Sequence, residues 1–404
     1  MKKGTTTEAT AAEIVQFRLD IQSKLRQRVR EVIEVVLDEE LAEALGCEAY
    51  ERSEGRRGYR NGSEVRAVTT ELGAREVRIP RGRLHQADGT TTEFRSEMLP
   101  RYARRTKAVD EAILGTYLAG ANSRRIRKAL ESLLGTANLS KSAVSRVVVR
   151  LKSLFESWGE RDLSEERYAI VYLDGFHLKV RLVRRVVSVP VLAVLGVAED
   201  GKKVLIGLQL AVSEAACHWS AVLLDLQKRG LAAPALLVVD GHKGLGKALK
   251  SWPGAKVQRC ARHKLVNLLE SCPVHARAEL RRDFHGIVNA KDGMAGRKAY
   301  DAFLAKWATL CPAVARSLEE AGTELLTFYE FPKSMWRSLR TTNALENLNR
   351  EFRRRTKTQA SFSTEKAGLT LLYGLVAFGQ IRFHKIDGYR QVASLLRLRE
   401  TNAA

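Results

Sequence analysis

Two short apolar runs in this chain end in the same way, Val171-Tyr172-Leu173-Asp174-Gly175 and Leu237-Val238-Val239-Asp240-Gly241. Runs this short and this uniformly apolar read as strands buried on both faces, which requires helices packed on either side of a sheet. The chain is therefore expected to contain an α/β core. Ala169 to Asp174, Phe176 to Leu182, Val186 to Val197 and Lys203 to Val212 read as consecutive strands. A helix from about Trp219 to Lys228 and the strand Leu236 to Val239 follow, which places Asp174 and Asp240 at the ends of adjacent strands. A third carboxylate, Glu346, lies in the helical stretch Thr341-Thr342-Asn343-Ala344-Leu345-Glu346-Asn347-Leu348-Asn349-Arg350. Two Asp and one Glu form an oxygen-donor set suited to a pair of Mg²⁺ or Mn²⁺ ions, since hard cations leave coordination positions for water and phosphate oxygens. The chemistry such a set points to is phosphodiester cleavage or strand transfer. For each residue alone, an Asp closing a turn before Gly, or a Glu pairing with Arg350, is the competing structural reading.

The 404 residues imply two to four domains and ample capacity for a core. The formal charge of +22 exceeds what solubility needs and recruits polyanions, with nucleic acid as the leading partner. A structural nucleic-acid binder or a membrane-surface protein would share the charge, but the first lacks the carboxylates and the second needs a basic amphipathic anchor. No apolar run reaches the roughly 18 to 20 residues of a membrane span, and Met1 to Thr7 lacks the apolar core of a signal peptide. Five scattered cysteines do not make a disulfide framework. Together these features lead to an expectation of a cytoplasmic, nucleoid-associated protein without membrane contact.

Along the chain, Leu25, Val29, Val32, Ile33, Val36, Leu37, Leu41 and Leu45 recur at helical spacing and predict one or two amphipathic helices over 1–50, with a core or dimer-contact role. Residues 51–100 read as a basic hairpin and loop segment. Strands Val65 to Leu72 and Arg75 to Ile79 turn at Gly73-Ala74 and end at Pro80, and Arg56, Arg57 and Arg60 are candidates for phosphate contact or for a merely solvated face. Over 101–160, helical segments at Thr106 to Leu118 and Ser123 to Leu134, closed by Gly135, precede a third helix, Lys141 to Lys152, capped by Ser140. This is a helix-turn-helix pattern in which Ser142, Ser145 and Arg146 face DNA. Residues 161–255 form the first part of the catalytic core. The interval from Asp240 to Glu346 is too long for one connecting helix, so 256–335 reads as a helical insertion, and 336–404 returns to the core with closing helices.

On the Glu346 helix, Asn343, Glu346, Asn347 and Arg350 share one face and Leu345, Leu348 and Phe352 the opposite, buried one. Arg350, Arg353, Arg354, Arg355 and Lys357 extend the polar face as a candidate DNA-backbone contact. Cys260-x-x-His263 recurs as Cys272-x-x-His275, which leaves a zinc site open beside packing and hydrogen bonding near the active site. His177 and His242 are candidates for phosphate contact or for structural hydrogen bonding. Trp336 is a candidate for stacking on an extruded base, with core packing as the alternative.

The ordered set Leu173-Asp174-Gly175 with His177 to Arg181, Asp240-Gly241-His242-Lys243-Gly244-Leu245, Cys260-Ala261-Arg262-His263-Lys264 and Arg340-Thr341-Thr342-Asn343 through Lys357 resembles the mutator-type transposases of bacterial insertion sequences. Gly58 to Gly62, Val77 to Arg81 and Leu139 to Arg146 extend the resemblance upstream over most of the chain. It implies a ribonuclease-H-like mixed sheet with an all-helical insertion, preceded by helix-turn-helix segments, and a DDE catalytic triad of Asp174, Asp240 and Glu346 binding two Mg²⁺. It also implies double-stranded DNA partners, the terminal inverted repeats and a target, and a homodimer that pairs two ends. A nuclease or junction resolvase on the same fold, and a sequence-specific regulator without catalysis, are the alternatives.

Overall fold

The computed structural model describes residues 11–403 apart from 135–138, 183–184, 212, 214, 242, 250–251, 253, 358–361 and 363. Gly135 and His242 thus lie outside the described residues. The chain divides into two compact units, residues 1–149 and 150–404.

The first unit opens with one long helix, α1 (Ala11–Leu45). Burial along its described residues is concentrated in the C-terminal half: Ile33, Leu37, Leu41 and Leu45 follow one another at four-residue steps, whereas Leu25 and Val32 are exposed. Strands β1 (Gly58–Thr70), β2 (Gly73–His85) and β3 (Thr91–Glu93) form an antiparallel sheet in that order. The hairpin is longer than its sequence signals indicate. Its turn falls at Glu71-Leu72, two residues before the expected Gly73-Ala74, and β2 continues through Pro80. The pairing shifts between Arg60 and Ser63, so Pro80, which has no N–H to give, sits opposite Ser63 beside a bulge where a missing ladder bond is tolerated. Val68, Val77 and Ile79 pack on Ile33, Leu37 and Leu99. Helices α2 (Lys107–Leu118), α3 (Ser123–Leu134) and α4 (Lys141–Glu160) follow. Val109, Ile113, Ile126, Leu130, Leu139, Ala143 and Val144 share one core there, and the Ser140 hydroxyl accepts the Ala143 N–H at 3.1 Å to cap α4.

The second unit is built on a five-stranded sheet. Strands β4 (Ile170–Leu182), β5 (Arg185–Val197) and β6 (Lys203–Leu210) are antiparallel, while β7 (Leu236–Val239) and β8 (Lys256–Arg259) run parallel to β4. The spatial order is β6-β5-β4-β7-β8. Asp174 is not at a strand end as the sequence suggested. Gly175 interrupts neither strand nor register, and β4 runs eight residues further along β5. What ends at Leu173 is the pairing with β7.

Alternation along β4 sorts its side chains. Val171 and Leu173 face α5 (Ala216–Lys228) and α6 (Lys243–Ala248), in a core with Trp219, Leu223, Leu237, Val239 and Leu245. Tyr172, Asp174 and Phe176 take the other face. Helices α7 (Ala261–Glu270), α8 (Arg277–Val288), α9 (Gly293–Leu310) and α10 (Pro312–Ala321) form a helical body with its own core around Phe284, Phe303, Trp307 and Leu318. After the short α11 (Trp336–Leu339) come α12 (Asn343–Lys357), α13 (Glu365–Ala377) and α14 (Val392–Ala403). Helix α12 packs on β4, where Phe352 meets Phe176 with ring centroids 5.5 Å apart. Among the described residues, no helix is long and apolar enough to cross a membrane.

Candidate active site at the ends of the parallel strands

The parallel pairing of three adjacent strands stops at one level, although β4 itself continues along β5. Leu173 pairs with Val239 and Val239 with Arg259, so the next residues, Asp174, Asp240 and Cys260, stand side by side at the carboxyl edge of the sheet. The backbone continues the pattern, with the Cys260 N–H donating to the Val239 carbonyl at 2.7 Å. The carboxyl ends of parallel strands are where open α/β sheets place their ligands.

Helix α12 supplies the remaining carboxylate. Its first turn is anchored by buried Thr342, whose N–H and hydroxyl donate to the Cys260 sulfur at 3.3 and 3.4 Å. That anchor puts Glu346, one turn on, over the strand ends. Glu346 Oε2 lies 2.6 Å from Arg262 Nη1, while Oε1 is buried without a hydrogen-bond partner among the described residues and is 3.9 Å from His263 Nε2. His263 Nδ1 lies 3.2 Å from Asp240 Oδ1. Asn343, at the head of α12, accepts from Arg262 at 3.5 Å.

Asp174 is nearly inaccessible, at 5% exposure. Its Oδ1 accepts the Gly175 N–H at 2.9 Å and its Oδ2 the side-chain amide of Asn349 at 3.0 Å. Burial pushes its carboxyl up to about 7; the charge of His263 opposes this, while those of Asp240 and Glu346 add to it. His263 is held up at about 9, first by the Cys260 side chain beside it, against the cost of burial, and then by Asp240 and Asp174. The His263 ring thus stands among three carboxyl groups, and its protonated form offsets part of their repulsion.

The sequence-derived set Asp174, Asp240, Glu346, Cys260, His263 and Asn343 is therefore gathered in one place. Trp336 is set in an aromatic group instead: its indole N–H donates to Phe331 O at 2.7 Å and its ring meets Tyr329 edge-on at 4.7 Å. Cys260, His263 and Glu346 offer donor atoms within 4.8 Å of one another, whereas Cys272 belongs to the core of the helical body, beyond the far end of α7. His177 is exposed on β4.

The candidate DNA-contacting residues divide. Ser142, Ser145 and Arg146 are exposed on the first turns of α4. Arg56, Arg57 and Arg60 each bind within their own unit, to Gly58 O at 2.7 Å, Glu43 O at 2.6 Å and Asp38 Oδ1 at 3.2 Å. On α12, Arg350, Arg353 and Lys357 are exposed, Arg354 pairs with Glu351 at 2.7 Å, and Arg355 is half-buried. Sequence reasoning missed Arg262 and Asn349 as members of the site. The signal for Asn349 was an amide three residues after Glu346, on the side otherwise given over to Leu345, Leu348 and Phe352.

Comparison with known proteins agrees along the chain. Residues 1–383 match the family described as "Transposase, Mutator family". The transposase for insertion sequence element ISRM5 of Rhizobium meliloti is 32% identical over 92% of this chain and 91% of its own length. That for IS406 of Burkholderia multivorans is 33% identical over 92% and 93%. Among solved structures, a chain of the Drosophila P element transposase strand transfer complex aligns over 79% of this chain and 88% of its own at 10% identity with a TM-score of 0.30, a likeness too low to carry a fold argument. Full-length identity of this order, with the family pattern running through both units, makes the chain a member of the Mutator family of insertion-sequence transposases.

Proposed function

We propose that the second unit is a ribonuclease-H-like catalytic domain in which Asp174, Asp240 and Glu346 are the DDE residues of a DNA strand cleavage and strand transfer reaction. The observation that carries this reading is the register of Leu173 with Val239, which sets two aspartates side by side facing the helix that bears Glu346. The strand order, antiparallel on one side of β4 and parallel on the other, fits the same fold.

The residues suit divalent metal. The donors are hard oxygens, and the Glu346 Oε1 atom is buried with no hydrogen-bond partner among the described residues, a costly arrangement that a cation would relieve. Asp174, Asp240 and Glu346 would hold two Mg²⁺ or Mn²⁺. Such ions, when bound, supply Lewis acidity to an attacking water or 3′-hydroxyl and to the leaving oxygen. The chain's own residues supply the frame: Thr342 and Cys260 fix the start of α12, Arg262 orients Glu346 through Oε2, and His263 bridges Asp240 and Glu346 as a positive charge.

The first unit would bind the terminal inverted repeats. In this reading α3 and α4 form a helix-turn-helix whose exposed Ser142, Ser145 and Arg146 read a major groove, and two protomers pair the two ends of the element. Arg350, Arg353 and Lys357 would lead the DNA backbone away from the metal site.

The test is strand transfer on end DNA by Asp174→Asn, Asp240→Asn and Glu346→Gln. Each is expected to lose strand transfer and to keep DNA binding, because metal ligation is local whereas affinity comes from many phosphate contacts. A variant that cleaves near normally with Mg²⁺ removes its residue from the catalytic set.

A further inference from the structure

Asn349 is 4% exposed, on the buried side of α12 among Leu345, Leu348 and Phe352. An amide there costs free energy unless both of its polar ends are paired. Among the described residues only one is: Nδ2 donates to Asp174 Oδ2 at 3.0 Å, and Oδ1 is buried with no hydrogen-bond partner. A leucine would fill a comparable volume without an orphaned acceptor, so the fold alone gives no reason for an amide at this position. The donor end gives one.

We propose that Asn349 is a positioning residue, which locks the Asp174 carboxylate to the helix carrying Glu346 so that the metal-binding oxygens are set before metal arrives. The inference rests on the proposed two-metal reading. Its geometry is specific. Glu346 and Asn349 are one helical turn apart, so a single rigid element presents one metal ligand and grips another that is 175 residues away in sequence. With Gly175 N–H on Oδ1 and Asn349 on Oδ2, each oxygen of Asp174 is fixed by one donor and keeps a lone pair. Removing a partner that orients a metal ligand typically weakens metal affinity about 10- to 100-fold.

The experiment measures Mn²⁺ binding to the full-length protein from the electron paramagnetic resonance signal of free Mn²⁺, beside thermal unfolding. The proteins are wild type, Asn349→Leu, Asn349→Asp and Asp174→Asn. Asn349→Leu is expected to fold and to bind Mn²⁺ about 10- to 100-fold more weakly. Asn349→Asp, nearly the same shape, replaces the donor with an acceptor facing Asp174 and is expected to weaken binding as well. Tighter Mn²⁺ binding by Asn349→Asp overturns the proposal, because it makes residue 349 a ligand. Wild-type affinity in Asn349→Leu, with affinity lost in Asp174→Asn, overturns it too and leaves the metal reading standing. Wild-type affinity in Asp174→Asn overturns the metal reading and this inference together. If Asn349→Leu fails to fold, Asn349→Asp decides by the same comparison.

Discussion

Leu173 and Val239 are register partners in neighbouring parallel strands, and that pairing sets Asp174 and Asp240 side by side. Because side chains alternate, the residues after them turn together toward α12, away from the core formed with α5 and α6. A one-residue slip of either strand would turn its own aspartate toward that core and separate the pair.

Gly241 follows the second aspartate. Its φ is +89°, which L side chains rarely adopt, and a Cβ there would lie 2.0 Å from Arg259 Nε, so alanine must strain the turn after Asp240 and push the Arg259 guanidinium away from Glu320. Gly241→Ala is expected to destabilise the protein by about 1–3 kcal/mol and to weaken Mn²⁺ binding. Denaturant unfolding and metal titration measure the two effects, and wild-type values in both would show that the loop adapts freely.

In the first unit, Arg146 and Arg57 are expected to fail in different ways. Arg146 is exposed on α4, whereas Arg57 donates to the Glu43 carbonyl near the end of α1. Arg146→Ala should lose about 1–3 kcal/mol of preference for terminal-repeat DNA over random duplex. Arg57→Ala should leave that preference intact and cost about 0.3–1 kcal/mol of stability, because it removes a cation from a helix C-terminus. Competition binding with both duplexes checks the first, and equal loss on both DNAs for Arg146→Ala would remove α4 as the reading helix.

Arg350 and Arg353 give a prediction in salt. Both are exposed, and Arg350 donates to Asn347 in its own turn. If each meets a phosphate, the double alanine variant should flatten the slope of log K against log salt by up to about 2, at about 0.9 per lost contact. Titrations of end DNA at several salt concentrations read this directly, and an unchanged slope in a folded variant places the DNA path elsewhere.

Glu320 ties α10 to the helix carrying His263. Its carboxylate accepts from Lys264 Nζ at 2.8 Å and from Arg259 at 3.0 Å. Burial raises its pKa, but these hydrogen bonds and charges more than offset that and leave it below the ordinary glutamate value. An acid with a lowered folded pKa stabilises the fold above its unfolded value and loses that contribution as pH falls through the folded one. Wild type should therefore melt higher than Glu320→Gln near neutral pH, with the gap closing below about pH 4.3. A gap independent of pH would mean the pair acts by packing alone.

The carboxylates were legible because each ends or interrupts an apolar pattern, a signal that survives without tertiary context. Strand β8 was not, since Lys256-Val257-Gln258-Arg259 carries no apolar run and owes its place to β7 and to Gln258, which donates to Leu325 O and accepts from Phe328 N. Gly175 looked like a strand end, yet the antiparallel partner β5 carries β4 through it. Charge counts could not tell Arg57, bound to a backbone carbonyl, from Arg350 on a solvated face. Asn349 was hidden for a related reason: a buried amide is intelligible only once its partner is known, and that partner lies on a strand far away in sequence.

The same separation bears on how the protein is made. Asp174 and Asp240 are synthesised long before Glu346 and Asn349, and neither aspartate has its full set of neighbours until α12 reaches the sheet. A growing chain can therefore complete its first unit and most of the sheet while still lacking the third carboxylate. On the proposed reading, DNA held by the first unit would be held before the cutting site is assembled, and a truncated product would compete for ends without breaking them.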